Sequence, residues 1–340
     1  MVQQLISHPD EFELVGCYEP EAALISRRSI EWGPLVSDLK FYSRLDELFS
    51  QRLDGVVVEG RVAENLGYAG AALERGLPVL LEKPAGFDFS AFQALQAEAK
   101  RQQLFVQMSY LFRWMPAVVA LREAVRTGSL GEIYEFRGRL PKPRGEYAEY
   151  LVDLSDLPGG IFFEMAGHLF DFCLATCGPP RQVRSFLAHH QPPGEGVGSI
   201  AEYDAANCGY RTSNATSADA FIDSGVTLLE FDRSLGIIEA NALEVVPGQR
   251  RIEVYGSRGA FIIPHLGSGH QGNTATQPYD LFTADTQRWT RCEPELGPLQ
   301  ISDLREFVAV ARGTKPPEFS AEHDLAVHAA LLQACGLPVD

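Results

Sequence analysis

Positive charge is short in this chain: 29 lysines and arginines stand against 45 aspartates and glutamates, a formal net charge of -16 over 340 residues. Nucleic acid and anionic membrane surfaces are thereby excluded as partners, since both need a basic face to displace counterions or meet headgroups. Cysteine is sparse and unpatterned. The six residues Cys17, Cys173, Cys177, Cys208, Cys292 and Cys335 form no C-x-x-C pair and no metal-ligand rhythm, which points to reduced thiols and no zinc site. No uninterrupted apolar run approaches the roughly 20 residues of a membrane helix. No basic segment leads into an apolar core near Met1, so the expected compartment is the cytoplasm. The glycosylation-like Asn214-Ala215-Thr216 carries no weight without secretion.

What is present is ordinary globular composition, 45% apolar and 22% charged, at a length that suits two domains with cores of their own. Met1 to Ser7 carries Val2, Leu5 and Ile6 at helical spacing, and Pro9 stops it. Strand and helix patterns then alternate. Glu13 to Glu19 reads as a strand, Ala22 to Ile25 as the start of a helix, Asp54 to Val58 as a strand and Asn65 to Arg75 as a helix. Leu77 to Glu82, Phe89 to Arg101 and Leu104 to Met108 continue as strand, helix and strand. This alternation predicts a Rossmann-type α/β domain over residues 1–110, a parallel sheet covered on both faces.

The same stretch lacks a glycine-rich G-x-G-x-x-G turn ahead of Glu13. In the strand order 3-2-1-4-5-6 the strand before that turn lies mid-sheet, and without it two half-sheets with open edges remain. The expectation is that about 15–20 further residues, a strand plus its turn, precede Met1 in the working protein. The alternative is a chain that has lost dinucleotide binding.

From Tyr110 the pattern changes. A helix is predicted over Ala117 to Arg126, closed by Thr127-Gly128, followed by a strand from Tyr134 to Leu140. Strands at Gly225–Phe231, Leu235–Ala242, Gln249–Tyr255 and Ala260–Ile263, separated by turn residues, predict an α+β domain over residues 111–340 with a large, mostly antiparallel sheet. Apolar residues on both alternation sets of the first two strands leave neither face suited to water, so an oligomer is expected. Two polar, glycine-rich tracts, 191–217 and 267–277, read as long loops.

Two constellations carry chemistry. Val79-Leu80-Leu81 is an apolar run that stops at Glu82-Lys83-Pro84, and the carboxyl end of a buried parallel strand is where doubly wound sheets hold their ligands. On a helix through Gly159-Gly160-Ile161-Phe162-Phe163-Glu164-Met165-Ala166-Gly167-His168-Leu169-Phe170-Asp171, Glu164, His168 and Asp171 share one face. A carboxylate accepting one imidazole N–H raises the basicity of the other ring nitrogen, as a general base requires. One histidine with two carboxylates is a poor zinc set, so no metal is expected.

Glu82-Lys83-Pro84 in its setting, together with Gly159-Gly160…Glu164…His168…Asp171, resembles the two signatures of the glucose-fructose oxidoreductase, inositol dehydrogenase and rhizopine-catabolism (Gfo/Idh/MocA) family. The resemblance runs from about Glu13 to the last helix. It departs at Glu59-Gly60-Arg61, where the family has a Thr-Pro-Asn turn, and at Glu164, where it has Asp. It implies an NAD(P)-dependent oxidoreductase that moves a hydride between nicotinamide and a hydroxyl of a carbohydrate or cyclic polyol. His168 would take the hydroxyl proton, Lys83 would orient the hydroxyl and stabilise alkoxide charge, and Glu164 would hydrogen-bond substrate. Glu19, Glu82 and Lys83 would line the cofactor, with Glu19 at the adenosine ribose favouring NAD over NADP. Tyr110, Arg113 and Asp171 are substrate-binding candidates by position. The resemblance also implies a homodimer or homotetramer. Two other readings remain open: an NAD-assisted glycoside hydrolase, and a sugar- or nucleotide-sensing regulator without cofactor.

Overall fold

The computed structural model describes residues 1–143, 158–188, 222–244, 249–266 and 276–339. The loop tract expected at 191–217 and residues 267–275 of that expected at 267–277 lie outside the described residues; Thr276 forms an isolated bridge with Glu295, and Gln277 is buried. The chain forms two compact units: Met1–Gly86, Ala91–Leu111 and Pro298–Ala321 make the first, while Phe87–Ser90, Phe112–Gly297 and Glu322–Asp340 make the second. A single cut after residue 110 therefore misses the return of Pro298–Ala321 to the first unit.

In the first unit, α1 (Val2–Ser7), β1 (Cys17–Tyr18), α2 (Ala22–Trp32), β2 (Phe41–Tyr42), α3 (Leu45–Phe49), β3 (Val56–Val58), α4 (Val62–Leu73), β4 (Val79–Glu82), α5 (Phe89–Arg101) and β5 (Val106–Ser109) alternate, with β2 and α3 added to the elements expected from the sequence. All strand pairs here are parallel, and they fall into two separate sheets, β1–β2 and β3–β4–β5. Val79, Leu80 and Leu81 of β4 are fully buried, as a central parallel strand requires. The helix Leu299–Ala311 returns through its apolar stripe: Ile301, Leu304 and Phe307 pack on Leu80, with Met1, Leu5, Phe12, Val57 and Phe105 around them. Buried Asp303 adds direction, accepting from Ser109 Oγ at 2.7 Å and Gln107 Nε2 at 2.9 Å.

The second unit contains α6 (Pro116–Arg126), β6 (Ile133–Pro143), α7 (Gly160–Cys177), β7 (Gln182–Ala188), β8 (Ser224–Glu230), β9 (Leu235–Glu244), β10 (Arg251–Gly256), β11 (Gly259–Ile263), β12 (Tyr279–Thr283) and β13 (Arg288–Cys292). The helices Leu299–Ala311 and Ala321–Ala334, α8 and α9, close the chain. The strands build one eight-stranded sheet in the order β13-β12-β11-β10-β6-β9-β8-β7, antiparallel at every pairing except β6–β9. Helix α7 covers one face, where Phe136, Leu140, Ile238, Ala240, Ile252 and Val254 are buried. It sits so close that a Cβ on Gly225 would stand 2.4 Å from the Phe162 ring, so β8 needs glycine there. By length and composition α7 passes for a membrane span, but its apolar window is 78% buried against the sheet, which makes it a core helix.

Candidate active site

In the first unit the parallel strands of β3–β4–β5 end together, with Glu82 of β4 registered beside Ser109 of β5. Lys83 follows at that carboxyl end, half-buried, joined to Pro84 by a cis bond. Glu19 stands just past β1, its Oε1 accepting the Glu21 N–H at 2.9 Å. Arg61, at the N-cap of α4, reaches Glu21 at 2.9 Å, and Asn65 Oδ1 accepts the Gly60 N–H at 2.9 Å. The atypical Glu59-Gly60-Arg61 turn is thus held by its own helix. Glu19 at the end of β1 could meet the ribose hydroxyls of a dinucleotide, and Glu82 and Lys83 at the end of β4, in a separate sheet, could meet its nicotinamide end.

In the second unit the Gly159-Gly160 pair makes the entry to α7. Both residues have positive φ, 84° and 49°, and a Cβ on Gly160 would lie 2.4 Å from the Ile222 carbonyl oxygen, which instead accepts the Ile161 N–H at 2.9 Å. Only glycine fits that approach. From Gly160 to Leu174 every residue of the helix is buried except Glu164, which remains half-open. One turn on, His168 is 6% exposed, and its ring lies against Phe112 with centroids 4.2 Å apart and planes 17° apart. Glu164 and His168 share the helix face expected of them.

Asp171 and Arg113 do not stand open as pocket residues. Asp171 is fully buried and Arg113 nearly so, and they close on each other: Arg113 Nη2 donates to Asp171 Oδ1 at 2.6 Å and its Nε donates to Oδ2 at 3.0 Å. Arg113 Nη2 also reaches Asp324 Oδ1 at 2.6 Å, and His323 Nε2 lies 2.9 Å from Asp171 Oδ1. Burial alone would raise the Asp171 carboxyl, but Arg113 and His323 outweigh it and hold it at about 2. Burial, with the Asp171 charge adding to it, pushes Asp324 up against the pull of Arg113. Tyr110, in the first unit, is buried as well. Among the described residues no three histidine, cysteine or acidic side chains gather as metal ligands.

Sequence reasoning missed Phe112, His323 and Asp324. A signal for the last was available, since Asp324 falls in the stripe with Val327, His328 and Leu331, spaced three, four and seven residues on, and all four are buried. A charged residue inside an apolar stripe calls for a buried partner.

Residues 2–110 match the profile described as oxidoreductase family, NAD-binding Rossmann fold, and residues 118–262 match that of the GFO/IDH/MocA C-terminal domain. Among curated proteins, an uncharacterised oxidoreductase of Schizosaccharomyces pombe is 25% identical over 182 residues, 53% of this chain and 48% of that protein. The myo-inositol 2-dehydrogenase of Thermotoga maritima is 23% identical over 251 residues, 72% of this chain and 65% of that protein. The chain spans about half the length, or less, of the curated relatives it matches first, 48%, 38% and 53%. In solved structures, the UDP-N-acetylglucosamine 3-dehydrogenase of Acidithiobacillus ferrooxidans superposes with a TM-score of 0.74 at 15% identity, covering 98% of this chain and 92% of that one. At that identity the likeness shows the fold.

Proposed function

The chain belongs to the Gfo/Idh/MocA oxidoreductase family, and from that premise we propose that it transfers a hydride between NAD(P) and a secondary hydroxyl of a carbohydrate or cyclic polyol. The observation that carries this reading is His168: an imidazole held flat against Phe112, one helical turn from the half-open carboxylate of Glu164. An imidazole so fixed is suited to take a proton from a hydroxyl near neutral pH. Lys83 orients the same hydroxyl and offsets the negative charge that grows on its oxygen. Glu164 accepts a hydrogen bond from a neighbouring substrate hydroxyl. The nicotinamide supplies the hydride acceptor when bound. Glu19 favours NAD, since a carboxylate at the ribose repels a 2′-phosphate. The substrate class is supported by the name of a relative, a myo-inositol 2-dehydrogenase.

The test is kinetic. With a reactive sugar or polyol, Lys83→Ala and His168→Ala are each expected to lower kcat by about 10²–10⁴-fold, with the double variant well short of the product of the two effects. Glu164→Asp is expected to retain far more activity than Glu164→Ala. Near-wild-type turnover in both single variants, with a lower melting temperature, would count for the non-enzymatic regulator instead.

The working form in this reading is a homodimer or homotetramer built on the outer sheet face. By register Phe186, Leu228, Leu235 and Trp289 fall on that one face, 69%, 45%, 59% and 51% exposed. Between them run ion pairs such as Arg139–Glu239. Exposed apolar side chains gathered on one sheet face suit a subunit contact. A monomer mass by light scattering at micromolar concentration refutes the assembly.

A further inference from the structure

The 3₁₀ turn Leu111–Trp114 grips helix α7 at two places with two consecutive residues. Phe112 lies flat on the His168 ring at 4.2 Å, and Arg113 bonds Asp171, three residues further along the same helix. Neither contact survives if the helix turns or slides while the other holds. The Arg113 Nη2 that donates to Asp171 donates to Asp324 as well, and Asp171 is also bonded by His323, so that two residues of the first turn of α9 join the cluster. Three elements therefore meet on one guanidinium, whose planar fork fixes direction as well as distance.

Stability is a weak reason for such a cluster. Arg113, Asp171 and Asp324 are all but fully buried, and replacing buried ion pairs by apolar residues of like volume is often neutral or stabilising. What a buried charge cluster does secure is one geometry, and the geometry it secures belongs to the helix turn that carries His168. We propose that Arg113, Asp171, Asp324 and His323 are positioning residues for His168, and that Phe112 sets the plane of its imidazole. This rests on the reading of His168 as the proton acceptor. The gain is in catalysis: a misplacement of about 1 Å at a reacting group costs on the order of 10²-fold in rate.

The test reads the His168 ring directly, by NMR of the full chain carrying ¹³C-labelled histidine, with its signal assigned through its loss in His168→Gln. Three variants are compared: Asp324→Asn, which removes one charge and leaves Arg113–Asp171 intact; His323→Gln, which keeps a donor toward Asp171; and Phe112→Leu. The expected result is a displaced or broadened His168 signal in all three, and kcat about 10-fold lower or worse with the cofactor KM unchanged. Phe112→Tyr, which keeps the stacked ring, restores both. A His168 signal that superimposes on the wild type, whatever the melting temperature does, overturns the proposal and leaves the cluster as packing. Should Asp324→Asn not fold, His323→Gln decides, because the His323 side chain, 18% exposed, is the least buried member of the cluster. Binding of NADH, followed by its fluorescence, separates the two readings: a protein that binds none while its His168 signal still moves loses the dehydrogenase assignment and keeps the positioning one.

Discussion

Each unit holds an arginine against a carboxylate at 2.6 Å, and the two pairs mean different things. In the first unit Arg305 meets Glu11 with side chains 52% and 39% exposed; in the second Arg113 meets Asp171 and Asp324 with none more than 4% exposed. Water screens the first pair, and both partners keep their hydration when it parts. The second pair has no water to fall back on, so each charge depends on the others for its solvation. Distance alone does not rank the two. Burial does, and it places the rigid charge in the unit that carries His168.

The largest effect that sharpens this contrast is expected from Asp171→Ala. It strands Arg113 beside Asp324 alone, and breaking a buried pair from one side costs about 3–5 kcal/mol, which urea denaturation measures. A loss no greater than that of an exposed pair breaks the comparison. Next comes the acid response. The folded Asp171 carboxyl is held at about 2, below its ordinary 3.8, so its contribution is full above about pH 4 and is lost as pH falls toward 2. Asp324 runs the other way: its carboxyl is raised, so the protonated form is favoured in the folded state and that contribution fades as pH rises past 3.8. Asp171→Asn is therefore expected to flatten the fall in stability between pH 4 and 2. The smallest effect is Glu11→Ala: the pair with Arg305 lowers the Glu11 carboxyl, yet its removal is expected to leave the denaturation midpoint within experimental scatter.

Much of this was legible in the sequence, for reasons that show why the rest was not. The helix Phe89–Arg101 follows from apolar spacing, and the strand ending at Glu82 from an apolar run broken by charge and proline. The placement of Glu164 and His168 on one helix face needed only the helical repeat. By contrast β12 and β13 alternate weakly, with Asp280 and Arg288, Arg291 among their residues, and no period of two marks them. Strand β2 has two residues and offers no period at all. The partners of Arg113 could not be read locally either: Asp171 and Asp324 stand 58 and 211 residues away, and only the fold brings them together.

The return of Pro298–Ala321 to the first unit has a consequence for synthesis. The chain passes between units at 86/87, 90/91, 111/112, 297/298 and 321/322, so neither unit is a continuous piece of polypeptide. As the ribosome releases the chain from its amino end, Leu80 emerges long before Ile301, Leu304 and Phe307, the side chains that cover it. The first unit thus waits, with the surface around Leu80 open, until all of the second but its last segment, Glu322–Asp340, has been made. Unlike beads on a string, these two units reach their final form at nearly the same moment, and a chaperone that shields the early half has most of translation in which to act.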